Sequence, residues 1–289
     1  MGEQVAEMLH INGADLLVDV LGEDDAPLFI GHHGAPGMST HNEPRNAFGK
    51  LSEWMRVVTF DARGSGDSAY VGPYTHEQWV ADVDAIREHF QAQKIVMGGG
   101  SYGGFITLEY ALAHPDRVEA LVLRDTAARD YSEEAKQNAL ARAKEFPWLT
   151  PEVVERAMGG GFRDNDEFRE MYAAIQPLYD VDYDPVKGAE HLANIKFNHE
   201  ADNFAFSQNL PNYDIRERLQ EINVPVLITV GRHDWITPVE ASEELHALLP
   251  KSELVIFENS GHSPQIEEHS TWFVTVRDFL DRHGLLERR

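Results

Sequence analysis

One short stretch restricts the possible folds of this chain more than any other. Lys94–Gly98 (K-I-V-M-G) reads as a buried strand, and Tyr102–Ala113 reads as a helix that begins only a few residues later. Between them runs Gly98-Gly99-Gly100-Ser101-Tyr102-Gly103-Gly104. A strand turns into a helix this abruptly only where the two backbones approach closely. That requires small residues two positions either side of the turn, here Gly99 and Gly103. Ser101 at the tip is then pushed out at the strand's C-terminal end, with the helix's first amides behind it. It is the candidate nucleophile, and the Tyr102 amide is placed to donate to an oxyanion.

Apolar runs alternate with helical patterns on both sides of this turn. Leu16–Leu21, Pro27–His32, Arg56–Asp61 and Val118–Arg124 read as strands. Thr75–Gln91 reads as a helix opened by a capping box from Thr75 to Gln78, with Trp79, Val83, Ile86 and Phe90 on one stripe. The alternation predicts an α/β fold with a mostly parallel, doubly wound sheet. It breaks from 127 to 212, where Glu133–Glu145, Pro151–Met158 and Asp166–Ala174 read as helices and no buried strand is found. Val224–Gly231, a helix near Pro238–Leu249, Glu253–Phe257 and a last helix around Gln265–Leu280 resume it. The expected organisation is a core of residues 1–126 and 213–289 interrupted by a helical insertion, 127–212.

A serine at neutral pH needs a base, and the base needs an acid to orient it. Asp234, in Gly231-Arg232-His233-Asp234-Trp235, directly follows a strand, where open α/β sheets collect ligand-binding residues. His262, in Ser260-Gly261-His262-Ser263-Pro264, lies in the loop after the next strand, and Gly261 allows a sharp turn that aims the imidazole inward. His233 is expected to point elsewhere, and His199, His41 and His76 read as surface or cap residues. The loop His32-His33-Gly34-Ala35-Pro36-Gly37 follows an early strand, where a second oxyanion amide arises, and Gly34 and Ala35 are small enough to let the backbone reach a substrate. The paired histidines lack a third ligand at helpful spacing, so neither metal nor cofactor is expected. Gly64-Ser65-Gly66 leads into a polar loop rather than a helix, and Asp61 and Arg63 are expected to pin that loop.

The 49 Asp and Glu against 25 Lys and Arg, a net −24, argue against nucleic acid and against anionic membrane surfaces as partners. The absence of cysteine removes disulfides and thiol nucleophiles. No apolar run approaches the ~18 residues of a spanning helix. Met1-Gly2-Glu3-Gln4 lacks the basic and then apolar run of a signal peptide, so a cytoplasmic enzyme acting on a small molecule or short peptide is expected. Nothing in the sequence sets an oligomeric state.

Together these stretches resemble the proline iminopeptidase family of α/β hydrolases. His33-Gly34-Ala35-Pro36-Gly37 is similar to its H-G-G-P-G, Asp61–Ser68 to its D-x-R-G-x-G-x-S, and Gly99–Gly104 to its G-G-S-[WY]-G-G. The resemblance implies an α/β-hydrolase fold with residues 127–212 as a helical cap inserted after the sixth strand, Ser101 as nucleophile, Asp234 as acid, His262 as base, and amides of Tyr102 and the Gly34/Ala35 region as the oxyanion site. It implies a serine hydrolase that cleaves an amide, or alternatively an ester or lactone, through an acyl-enzyme. The family holds a substrate's free amine with acids near the cap. In one branch a Glu precedes a cap Phe; here Asn203 precedes Phe204, and Trp235 stands where that branch has a second acid. Glu200 and Asp202 are the acids near this stretch, whereas Trp235 and Phe204 favour an apolar or aromatic acyl group; Trp235, Phe204, Glu200 and Asn203 are the residues expected to contact substrate.

Overall fold

The computed structural model describes residues 6–286. Eight strands are formed: β1 (Glu7–Ile11), β2 (Ala14–Leu21), β3 (Leu28–His32), β4 (Arg56–Phe60), β5 (Ile95–Gly100), β6 (Val118–Arg124), β7 (Val226–Gly231) and β8 (Ser252–Phe257). They make one sheet in the order β1-β2-β4-β3-β5-β6-β7-β8, parallel from β4 to β8 and antiparallel at β1 and β2. The helices are α1 (Asn42–Phe48), α2 (His76–His89), α3 (Tyr102–Ala113), α4 (Ser132–Ala141), α5 (Pro151–Met158), α6 (Asn165–Ile175), α7 (Pro185–Asn194), α8 (His199–Phe204), α9 (Val239–Leu248), α10 (Pro264–Glu267) and α11 (His269–Arg282).

The two-residue period of a strand sorts neighbouring residues onto opposite faces of the sheet. Ile30, Met97, Leu121 and Ile228 pack in one apolar cluster with Trp79, Val83 and Ile86 of α2 and with α3. Their neighbours Phe29, Val96, Val122 and Leu227 pack in another with Phe48 of α1 and Trp272, Val276 and Phe279 of α11. Thr75 caps α2 by accepting the Gln78 amide at 3.2 Å, as its capping box predicts. Arg63 pins its loop through a buried two-pronged pair with Asp82, at 2.9 and 2.8 Å.

Several elements differ from the sequence expectation. β1 was not expected: its outer residues are exposed, so it carries little apolar signal, and its pairing with β2 is set by the Asn12-Gly13 turn, both residues at positive φ. Glu133–Glu145 shortens to α4, which stops at Ala141 in turns. The expected last helix is broken at Glu268, whose carboxylate turns back to accept from Ser260 Oγ and the Asn259 amide. α7 and α8 were also not read from the sequence. Gly188 sits inside α7 because a Cβ there would collide with the Tyr183 ring. Among the described residues no strand lies between β6 and β7, only an isolated bridge from Arg129 to Asp214, and no helix is long and apolar enough to cross a membrane. The helices after β6 have an apolar cluster of their own, built on Leu149, Val154, Phe162, Phe168 and Tyr172 and reaching Trp235.

Candidate active site

Ser101 sits between β5 and α3 at φ 53°, ψ −124°, a conformation that non-glycine residues reach only under strain. The tightness behind it is real: a Cβ on Gly103 would lie 2.5 Å from the His33 carbonyl oxygen and 2.6 Å from that of His32. β3 and its following loop therefore press directly on the start of α3. The Ser101 amide donates to the Arg124 carbonyl at 2.9 Å, tying the turn to the end of β6.

Asp234 is buried just past β7. One of its oxygens accepts from the Ile236 and Thr237 amides at 2.9 and 3.2 Å; the other accepts from Thr237 Oγ1 and faces His262 Nδ1, each at 2.9 Å. His262 is buried too. Its amide donates to the Tyr179 carbonyl at 2.7 Å, and the Tyr179 ring meets the imidazole edge-on at 5.4 Å. A Cβ on Gly261 would strike that same carbonyl, which is the physical reason for a glycine before the histidine. Burial favours neutral imidazole, but the charge and hydrogen bond of Asp234 and the charge of Asp125 outweigh it and raise the His262 pKa. His233 is exposed, as expected. Ser101 and His262 both line one cavity.

That cavity measures about 690 Å³ and is mostly apolar. Gly34, Ala35, Tyr102 and Phe105 line it from the core, and Tyr131, Met158, Tyr172 and Ile195 from the segment between β6 and β7. Gly34 differs from expectation in one respect: its amide is already spent on Glu43 Oε2, at 3.0 Å. Among the described residues the Ala35 and Tyr102 amides have no such acceptor, so they are the ones free to face an oxyanion.

The four residues expected to contact substrate do not line this cavity. Asn203 is consumed in a two-way clamp on the Phe162 backbone, at 2.6 and 2.8 Å. Trp235 is buried behind Tyr179, ring centroids 5.7 Å apart, and lines a separate depression on the far side. Phe204 packs on the core beneath α8, and Glu200 is exposed. His76, read as a surface or cap residue, is buried: its ring nitrogens meet Tyr102 Oη at 2.7 Å and Glu109 at 3.1 Å, bracing the side chain next to the serine. His41 is partly buried against Asp61, at 2.7 Å.

The sequence reading also missed Glu43, Arg124, Tyr179 and Asp125. Arg124 is buried against Gly100. It reaches Glu43 at 2.5 Å, the His262 carbonyl at 3.0 Å and Asp125 at 3.2 Å, so one guanidinium joins the loops that carry Gly34, His262 and Ser101. Among the described residues, Asp125, Asp234 and His262 form the one His–carboxylate grouping close enough to hold a metal ion, and the last two already bond each other.

The chain that carries this serine turn is similar to known proteins over most of its length. A family model described as the alpha/beta hydrolase fold covers residues 27–269. The chain belongs to the α/β-hydrolase family. It is 33% identical over 281 residues to a proline iminopeptidase of Pestalotiopsis fici, covering 96% of this chain and 100% of that protein. Among solved structures it is similar to the enol-lactonase of Burkholderia xenovorans LB400, with a TM-score of 0.71, 26% identity and 95% and 100% of the two chains covered. A thermophilic esterase of Thermogutta terrifontis shares the α/β-hydrolase fold, with a TM-score of 0.74 at 24% identity over 96% and 99%. This α/β hydrolase is an enzyme with hydrolase activity, and a proline iminopeptidase is among its relatives.

Proposed function

We propose that this α/β hydrolase cleaves an ester or amide of an uncharged, apolar acyl group by two-step acyl transfer. Ser101 attacks the carbonyl, His262 takes its proton and returns it to the leaving group, and Asp234 holds the imidazole in the right tautomer. The Ala35 and Tyr102 amides stabilise the oxyanion, and water then releases the acid. The helical segment 127–212 acts as the cap that excludes solvent from this step. One observation carries the choice of substrate. Glu43 is the only carboxylate among the described residues on the cavity wall besides those around His262, and it is neutralised by Arg124 and bonded to Gly34. A substrate ammonium would find no free counter-charge there.

A second reading is favoured by the similarity to proline iminopeptidases and by Asp202. This carboxyl is buried in α8 beside the Gly37 loop, and burial alone pushes its pKa well above the usual carboxylate range. An arriving ammonium would restore its charge. The deciding experiment compares a proline arylamide with short acyl esters and lactones, using the native enzyme, Ser101→Ala and Asp202→Asn. Ester turnover that survives Asp202→Asn and falls by about 10⁴-fold or more in Ser101→Ala supports the proposal. Rapid arylamide cleavage whose KM rises sharply in Asp202→Asn would replace it with the iminopeptidase reading.

A further inference from the structure

Asp125 lies beside His262 and has no part in the reading above. It follows β6 as Asp234 follows β7, and these strands are parallel neighbours, so adjacent strand ends present two carboxyls to one histidine. One oxygen of Asp125, one of Asp234 and a ring nitrogen of His262 all lie within 4.8 Å of one another. Asp125 is fully buried and held at φ 47°, in the left-handed region. It accepts the Gly231 amide at 3.0 Å and faces Arg124 Nη1 at 3.2 Å. Anchoring Gly231 needs only a neutral acceptor. A second buried carboxyl, in strained backbone and next to another acid, adds desolvation and repulsion that a purely structural role does not require.

We propose that Asp125 is a second acid for His262: a positioning residue whose charge supports the imidazolium alongside Asp234, and whose carboxylate takes up the Nδ1–H when Asp234 cannot. The proposal rests on His262 being the base. The proton from Ser101 Oγ still goes to Nε2 and returns from it, and none leaves Nδ1. The charged and titratable groups facing this pair are Asp234 after β7, Arg124 on β6 with Glu43 of α1 beyond it, and Tyr179 and Asp180 after α6. Burial and the Asp234 charge push Asp125 up to about 7, against Arg124, His262 and the Gly231 amide. Removing its charge lowers the proton affinity of His262.

Asp125→Asn keeps an acceptor for Gly231 and suits positive φ, so it is expected to fold, which a thermal melt checks. Labelling by a fluorophosphonate, lost in Ser101→Ala, tests the nucleophile separately. The measurement is the pH profile of kcat/KM for Asp125→Asn, and activity of Asp125→Asn, Asp234→Asn and the double variant at one pH. Asp125→Asn alone should cost less than about tenfold and move the acid limb to lower pH. Asp234→Asn should lose about 10²-fold rather than the ~10⁴-fold that a wrong tautomer can cost, and the double variant should fall the rest of the way. An unmoved acid limb overturns the proposal. So does an Asp234→Asn already at about 10⁴-fold loss with nothing added by Asp125→Asn.

Discussion

Glu43 accepts the Gly34 amide at 3.0 Å, so α1 holds the loop that presents the Ala35 amide to the cavity. The other oxygen of the same carboxylate meets the buried Arg124 at 2.5 Å. Glu43→Ala would free the loop and leave Arg124 with Asp125 as its only remaining carboxylate among the described residues. The expected cost is about 2–3 kcal/mol, at the low end for breaking a buried pair because Asp125 remains. With the oxyanion role proposed for this loop, turnover should fall more than substrate affinity. Urea melts and kcat against KM check this, with Glu43→Gln expected in between; a variant as stable and active as the native protein would refute the linkage.

Gly103 is the tightest test of the turn. Its missing Cβ faces two carbonyl oxygens of the β3 strand end and loop, which are backbone and cannot swing aside. Gly103→Ala should destabilise by roughly 1–3 kcal/mol or more and slow labelling of Ser101. A shift in urea midpoint with unchanged labelling would mean that the strain relaxes away from the serine.

The pH dependence follows from His262. Its pKa is lowered by burial but raised more by Asp234 and Asp125, for a net rise above the ordinary 6.5. General-base activity needs the neutral ring, so kcat/KM should climb with pH with a midpoint above 6.5. Stability linked to this group runs the other way: its contribution is full below about 6.5 and is lost as pH rises through the folded-state value. A pH–rate profile with its acid midpoint below 6.5 would contradict the assignment.

Local chemistry made much of the molecule legible. Thr75 with Gln78 marked the start of α2, Pro151 the start of α5, and the glycines around Ser101 the turn into α3, because caps, breakers and tight turns are decided by adjacent residues. β1 escaped because only Leu9 and Ile11 of this short edge strand face the core, too few to mark a period. α7 escaped because Gly188, its one buried residue, answers to Tyr183 rather than to a helical stripe.

The site divides in the same way. Ser101, Asp234 and His262 stand out in sequence because each comes shortly after a strand of the sheet, β5, β7 and β8, and a parallel sheet gathers such strand ends on one edge. What lies around them does not. Asn203 looked free for substrate but is taken by Phe162, Trp235 is turned behind Tyr179, and Asp125 reads as an ordinary strand-end residue until β7 is laid beside β6. Residue order and turn chemistry alone place a strained serine at a strand end, with an acid and a histidine downstream. Which charges surround them was decided only by tertiary structure: Glu43, Arg124, Asp125 and Asp234 come from distant parts of the chain, and electrostatic coupling depends on separation in space.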